Sequence, residues 1–242
     1  MHLRFTPPSL ARGLMLSSAA LLGTLTLAAC ASSSAVDGSD GLLAARFIPT
    51  LSHRVRARAT RDEILSFGDG TYIGRCLADR DSILDRWPAR IDRPLRVWID
   101  SGEYHSVRAD YARIVRGAFN EWASTGIPVR FQFVSRPRDA EVRVRWADYL
   151  PGKTGSTTWR TDRDGWLESS DITLATHVSD GHALDPRGVR VIALHEIGHA
   201  LGLSHSGNGQ DIMAPIVRVN DLSPADLATI RLLYELPAGH VR

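Results

Sequence analysis

From Pro94 onward, apolar and polar residues follow two distinct rhythms. Leu95, Val97 and Ile99 alternate with Arg96, Trp98 and Asp100, the two-residue period of a half-buried strand. Val107, Tyr111, Ile114, Val115, Ala118, Phe119 and Trp122 then recur three and four apart, which predicts an amphipathic helix with Ser106 available as its cap. Two further alternating runs, Val129-Phe131-Phe133 and Val142-Val144-Trp146, predict strands, and weaker strand signals lie at residues 156–160 and 172–176. The turn-rich Asp162-Arg163-Asp164-Gly165 separates those last two. Val191, Ile192, Leu194 and Ile197 predict a second helix from near Gly188 to about Leu203. The last helix has clear punctuation: Ser223 can cap it, Pro224 sits at its first position, Asp226 falls third, and Leu227, Ile230 and Leu233 face inward. The order strand, helix, four strands, helix, loop, helix places the chain in the α+β class.

Before Pro94 the rhythm is lost. In residues 61–93, Ile64 and Leu65 could open a short helix, but Gly68, Gly70 and Gly74 interrupt it, and Cys76 and Trp87 flank a charged stretch. This part is read as an N-terminal extension with no assigned structure. Residues 31–40 are rich in Ser, Ala, Gly and Asp, which suits a flexible tether over residues 30–60. Residues 1–29 read as an export signal, with Arg4 and Arg12 ahead of an apolar run that ends Leu27-Ala28-Ala29-Cys30. That ending resembles a bacterial lipobox, which implies a lipid on Cys30 and a membrane-anchored lipoprotein in the cell envelope, periplasmic or on the outer surface. The other readings are an ordinary cleaved signal or a membrane span, for which the run is short.

Composition narrows the partners. The 242 residues, 43% of them hydrophobic, suffice for one catalytic domain over residues 94–237, taken as monomeric. A net charge of +2, with Arg scattered among acids, leaves no basic stripe for nucleic acid. With Cys30 lipidated, Cys76 is the only other cysteine, so an internal disulfide is excluded.

The chemistry concentrates in His195-Glu196-Ile197-Gly198-His199-Ala200-Leu201-Gly202-Leu203-Ser204-His205. Residues four apart on a helix lie one above the other, so His195 and His199 present two imidazoles on one face, as tetrahedral zinc requires. Gly202 can take the left-handed conformation that ends a helix and lets His205 swing back as a third ligand. Three protein ligands leave a fourth position for water, the pattern of catalytic zinc. Glu196, displaced toward that position, can take a proton from zinc-activated water and later deliver one to a leaving amine.

The eleven-residue pattern, followed by Met213 in Asp211-Ile212-Met213-Ala214-Pro215, resembles the metzincin peptidases with their Met-turn. His205-Ser206, the spacing to Met213, Pro215 and the closing Leu222-Ser223-Pro224-Ala225-Asp226-Leu227 look matrixin-like in particular. The resemblance implies a zincin domain with a twisted, mixed five-stranded sheet and three main helices. It also implies one catalytic zinc and a zinc metalloendopeptidase activity on protein or peptide substrates. Met213 would form an apolar floor under the metal. A substrate would add as a strand beside residues 156–160, and Pro215 would help to wall its pocket, formed by residues 215–222.

Three departures accompany the likeness. A second, structural zinc is not expected, because the chain lacks a His-x-Asp pair and has only His177 and His182 in the relevant stretch. Asp162, Asp164 and Glu168 carry oxygens suited to Ca2+, but the rest of a calcium loop is missing and an exposed turn is the preferred reading. Cys76, in Gly74-Arg75-Cys76-Leu77-Ala78-Asp79, resembles the family's thiol switch only in Arg-Cys and a following Asp, so latency and a buried or free thiol stand as alternatives. His53, His105 and His240 are isolated. Two rival functions remain open at this point: a hydrolase of a non-protein amide such as peptidoglycan, and a zinc-binding adhesion lipoprotein.

Overall fold

The computed structural model describes residues 60–66, 68–102 and 107–241. The export signal, Cys30, the tether, His53, His105 and the cap Ser106 lie outside the described residues.

Among the described residues the main sheet has five strands: β2 (Arg90–Ile99), β3 (Val129–Phe133), β4 (Val142–Ala147), β5 (Gly155–Thr161) and β6 (Leu167–Ala175). Their order is β3-β2-β4-β6-β5; the first four are mutually parallel and β5 runs antiparallel along the edge. The mixed five-stranded sheet is therefore as expected. Parallel neighbours cannot be joined by tight turns, so the chain between β2 and β3 crosses over as helix α3 (Tyr111–Ala123). β5 and β6 are a hairpin instead. In its turn the Asp162 carboxylate accepts from the N–H groups of Asp164 and Trp166, both at 2.9 Å. That carboxylate closes its own turn.

Several boundaries differ from the periodic reading. Helix α3 begins at Tyr111, with Asp110 in the cap position, so Val107 precedes the helix. β2 starts five residues early, at Arg90, because Arg90 pairs with Val129 before an irregularity and Leu95 then pairs with Phe131. β6 begins at Leu167 rather than near residue 172.

The long helix α4 (Pro186–Ala200) starts at Pro186, with the Asp185 side chain accepting from Gly188 N–H at 2.6 Å. Asp followed by Pro is the same start signal as Ser223-Pro224, and it identifies the true start. Eleven of its fifteen residues are buried, because α3, β5 and β6 pack around it. A helix buried on nearly every side shows only a weak amphipathic stripe. Trp122 on α3 donates its indole N–H to Leu194 O at 2.9 Å and fixes the two helices against each other. Helix α5 (Pro224–Glu235) has the full capping box: Ser223 accepts from Asp226 N–H, and Asp226 accepts from Ser223 N–H.

Residues 61–93 are folded into the same body. They form α1 (Arg61–Ser66), α2 (Ile73–Asp79), β1 (Ile83–Leu84) and the start of β2. Ile64, Ile73, Cys76, Leu77, Leu84 and Trp87 are all buried in the common core. β1 pairs antiparallel with β7 (Gly239–His240), tying this segment to the far end of the chain.

Candidate metal centre

Helix α4 ends in a way that matches the glycine prediction. Leu203 N–H bonds to Gly198 O at 3.0 Å and Gly202 N–H to His199 O at 3.0 Å, with Gly202 at φ +108°, a Schellman termination. A side chain at Gly202 would overlap the carbonyl of Asp85, so close approach as well as conformation demands glycine. The reversed chain returns His205 to His195 and His199. Their ligand nitrogens lie within 4.8 Å of one another, and among the described residues this is the one group of three or more metal-type side chains.

The proton positions favour a cation. His195 Nδ1 lies 2.7 Å from Ile212 O, and His199 Nδ1 lies 2.8 Å from Leu203 O. A carbonyl can only accept, so both Nδ1 atoms carry the proton and both Nε2 atoms are bare lone pairs. Yet His199 Nε2 sits 3.1 Å from His195 Nε2 and 3.3 Å from His205 Nε2. The facing lone pairs of His195 and His199 repel unless a positive ion lies between them, and three imidazoles in this arrangement fit Zn2+ with one position left open. Burial keeps the rings neutral: it lowers His195 to about 4 and His199 well below its ordinary value. His205 is lowered less, since Asp79 partly offsets burial.

Met213 is fully buried, and its sulfur lies so close to Gly198 that a side chain there would overlap it. It thus packs beneath the helix turn between the two helical histidines. The Met-turn is held by a residue that the sequence reading placed only as a helix start. The Asp226 carboxylate, fully buried, accepts from Ile212 N–H at 2.8 Å, Met213 N–H at 3.4 Å and Ser223 N–H at 2.8 Å, and from Tyr72 O–H at 2.9 Å. Ser206 N–H bonds to Met213 O at 2.8 Å and joins the His205 loop to the same turn. No periodicity could reveal these partners; an acid three residues after Ser223 signals only a cap.

Glu196 is 2% exposed. Burial raises its carboxyl to about 7, opposed by a hydrogen bond from Thr157 and by the charge of Lys153. The cleft before it, about 350 Å³, is lined by Gly155, Thr157 and Trp159 of the edge strand and by Lys153, Asp79 and Arg80, among others. Pro215 is among the residues that line this cleft. Cys76 is not over the histidines. It is 1% exposed, its sulfur accepts from Ser204 N–H at 3.5 Å, and burial raises its thiol. Of the two alternatives for Cys76, this burial matches the buried thiol: the side chain is enclosed beneath the turn that leads to His205. His182 faces Asp180 on the surface and His177 bonds Thr176, neither joins a group of three metal-type side chains among the described residues, and His240 is exposed in β7.

An α+β domain with three convergent histidines on and after a glycine-terminated helix, a buried glutamate beside them and a methionine beneath is the architecture of a metzincin-type zinc protein. The matrixin model of peptidase family M10 matches residues 93–235, and the chain belongs to the matrixin family. It is similar to matrix metalloproteinase-15 of Homo sapiens, 30% identical over 171 residues, covering 57% of this chain and 23% of the relative. It is similar also to probable matrix metalloproteinase 095L of Invertebrate iridescent virus 3, 31% identical over 137 residues with 50% and 36% covered. Metalloendoproteinase 1-MMP of Arabidopsis thaliana is 30% identical over 146 residues, with 52% and 38% covered. The chain spans less than two-fifths of the length of each of these relatives.

Proposed function

We propose that this protein is an exported zinc endopeptidase, in which His195, His199 and His205 hold one zinc and Glu196 is the general base. The observation that carries the reading is the set of bare Nε2 lone pairs converging beside a buried carboxyl. When bound, zinc supplies Lewis-acid chemistry, polarising a carbonyl and lowering the pKa of water. Glu196 takes the proton from the attacking water and passes it to the leaving amine. Its burial beside the three histidines keeps bulk water from competing for the proton it carries. His195 and His199 are kept as neutral ligands in fixed orientation by Ile212 O and Leu203 O.

β5 supports a peptide substrate over a bulkier amide. It is paired on one side only, by β6, and its residues Gly155, Ser156, Thr157 and Trp159 line the cleft, so an extended peptide can add as a sixth strand. The adhesion alternative would be favoured by Cys76 at the open ligand position, and the buried thiol gives it no such support. The matrixin relatives agree with action outside the cytoplasm; attachment through Cys30 is part of the proposal. The test is zinc content and casein cleavage with and without chelator. One zinc per chain with chelator-sensitive cleavage is expected, and zinc without any cleavage would overturn the reading.

A further inference from the structure

β5 does more than offer an edge to a peptide, because two of its residues meet the Glu196 side chain directly. Thr157 Oγ1 lies 2.6 Å from Glu196 Oε2 and 3.0 Å from Glu196 O. Two residues earlier, on the same face of the strand, Gly155 leaves room for the rest of the carboxyl. A Cβ at Gly155 would lie 2.6 Å from Glu196 Cγ and 2.7 Å from Cδ, and would overlap Oε1. One carboxyl oxygen is gripped and the other rests in a gap that only glycine leaves. Gly155 has no positive φ to explain its identity, so clearance for Glu196 is what the structure offers.

We propose that Gly155 and Thr157 form a seat for Glu196, with Thr157 a positioning residue whose hydroxyl fixes the orientation of the base. The proposal rests on the reading of Glu196 as that base. A glutamate has three rotatable bonds, and proton transfer needs its oxygen within hydrogen-bond reach of the reacting water. A hydroxyl suits both halves of the shuttle. It donates to Oε2 when the carboxylate is bare. When Oε2 carries the proton, the hydroxyl accepts it and turns its own hydrogen to Glu196 O, so the contact persists. A side chain that could only donate or only accept would lose one state. Because the seat is on the edge strand, the strand that receives the substrate is also the strand that aims the base.

The test uses the full chain, loaded with zinc, as wild type, Thr157→Val, Thr157→Ser and Gly155→Ala. Zinc stoichiometry, kcat and KM on a casein-derived peptide, and acetohydroxamate affinity are measured on each. Valine keeps the shape and removes the hydroxyl. Thr157→Val is expected to retain one zinc and an unchanged KM, to lose about 10- to 100-fold in kcat, and to bind acetohydroxamate more weakly. Thr157→Ser should recover most of both, and Gly155→Ala should lower kcat by displacing the carboxyl. Wild-type kcat in Thr157→Val, a serine variant as impaired as valine, or loss of zinc in Thr157→Val would each overturn the seat. A wild-type protein that holds zinc and cleaves nothing would overturn the peptidase reading instead, and acetohydroxamate affinity across the variants would still decide on Thr157.

Discussion

The stretch from His195 to His205 and the segment from Arg61 to Arg93 carry the same metal site in opposite ways. In the first, chemistry is written locally: a four-residue histidine spacing, a glutamate beside it, a glycine where the helix must end. The second has no periodic signal and all but its last residue precede the matched family region, yet it holds the turn on which that spacing depends. Trp87 donates to Ala200 O at 2.8 Å, Arg80 to Leu203 O at 3.5 Å, and Cys76 accepts from Ser204 N–H at 3.5 Å. The Asp85 carbonyl sits against Gly202, and Tyr72 bonds the same Asp226 that pins the Met-turn. Ligand identity is local, while ligand placement is non-local.

The sharpest way to separate the two regions is to remove chemistry without structure, then structure without chemistry. Glu196→Ala is expected to keep zinc and fold while turnover falls by about 10³-fold or more, since the base goes and the ligands stay. Zinc analysis beside a casein assay checks it, and full activity in this variant would refute the mechanism. Trp87→Ala should do the reverse. It empties a fully buried indole site and strips Ala200 O of its donor, for a loss of about 3–5 kcal/mol in denaturant unfolding. Zinc affinity should weaken with it, although Trp87 touches no ligand. An unchanged zinc affinity would mean that the turn holds itself, and the contrast drawn above would fail.

How far the molecule is legible from sequence follows the same division. Exposed or half-buried elements were readable: β4 alternates, α3 has its three-four rhythm, and α5 carries both cap and proline. α4 was less so at its start, because a helix buried all round loses its stripe, and Asp185-Pro186 was the better guide. The three histidines, Glu196 and Met213 follow from one contiguous pattern. Asp226, Thr157 and Gly155 do not, because the Met-turn and Glu196 groups they meet lie 13 or more residues away and no local spacing encodes them. Cys76 left two alternatives open for a related reason: Arg-Cys resembles a switch, whereas burial among Ile73, Leu77 and the 200–204 turn is a property of the fold.

Acidity offers a finer test, on the metal-free protein. The folded state raises Glu196 from 4.5 to about 7, so there it binds a proton that the unfolded chain has already released. Its contribution to stability is full below about 4.5 and disappears as pH rises through 7. His195 runs the other way, lowered from 6.5 to about 4, contributing above 6.5 and losing it as pH falls toward 4. Glu196→Gln removes the first term and keeps the second. The Tm of Glu196→Gln minus that of wild type should therefore grow between pH 5 and pH 8. A difference independent of pH would mean that the carboxyl titrates as it does in solvent.

The smallest expected effect decides between the two regions most economically. Cys76→Ala removes the acceptor of Ser204 N–H and a small buried volume, for a loss of about 1–2 kcal/mol. If the segment acts only as a buttress, activity per zinc is unchanged or slightly lower. A thiol that acted as a fourth ligand would give the opposite sign, a gain in activity on substitution and weaker chelation of the zinc in the untreated protein. Activity per bound zinc, measured beside unfolding free energy, separates the outcomes, because a buttress lowers the second and leaves the first, whereas a latch raises the first.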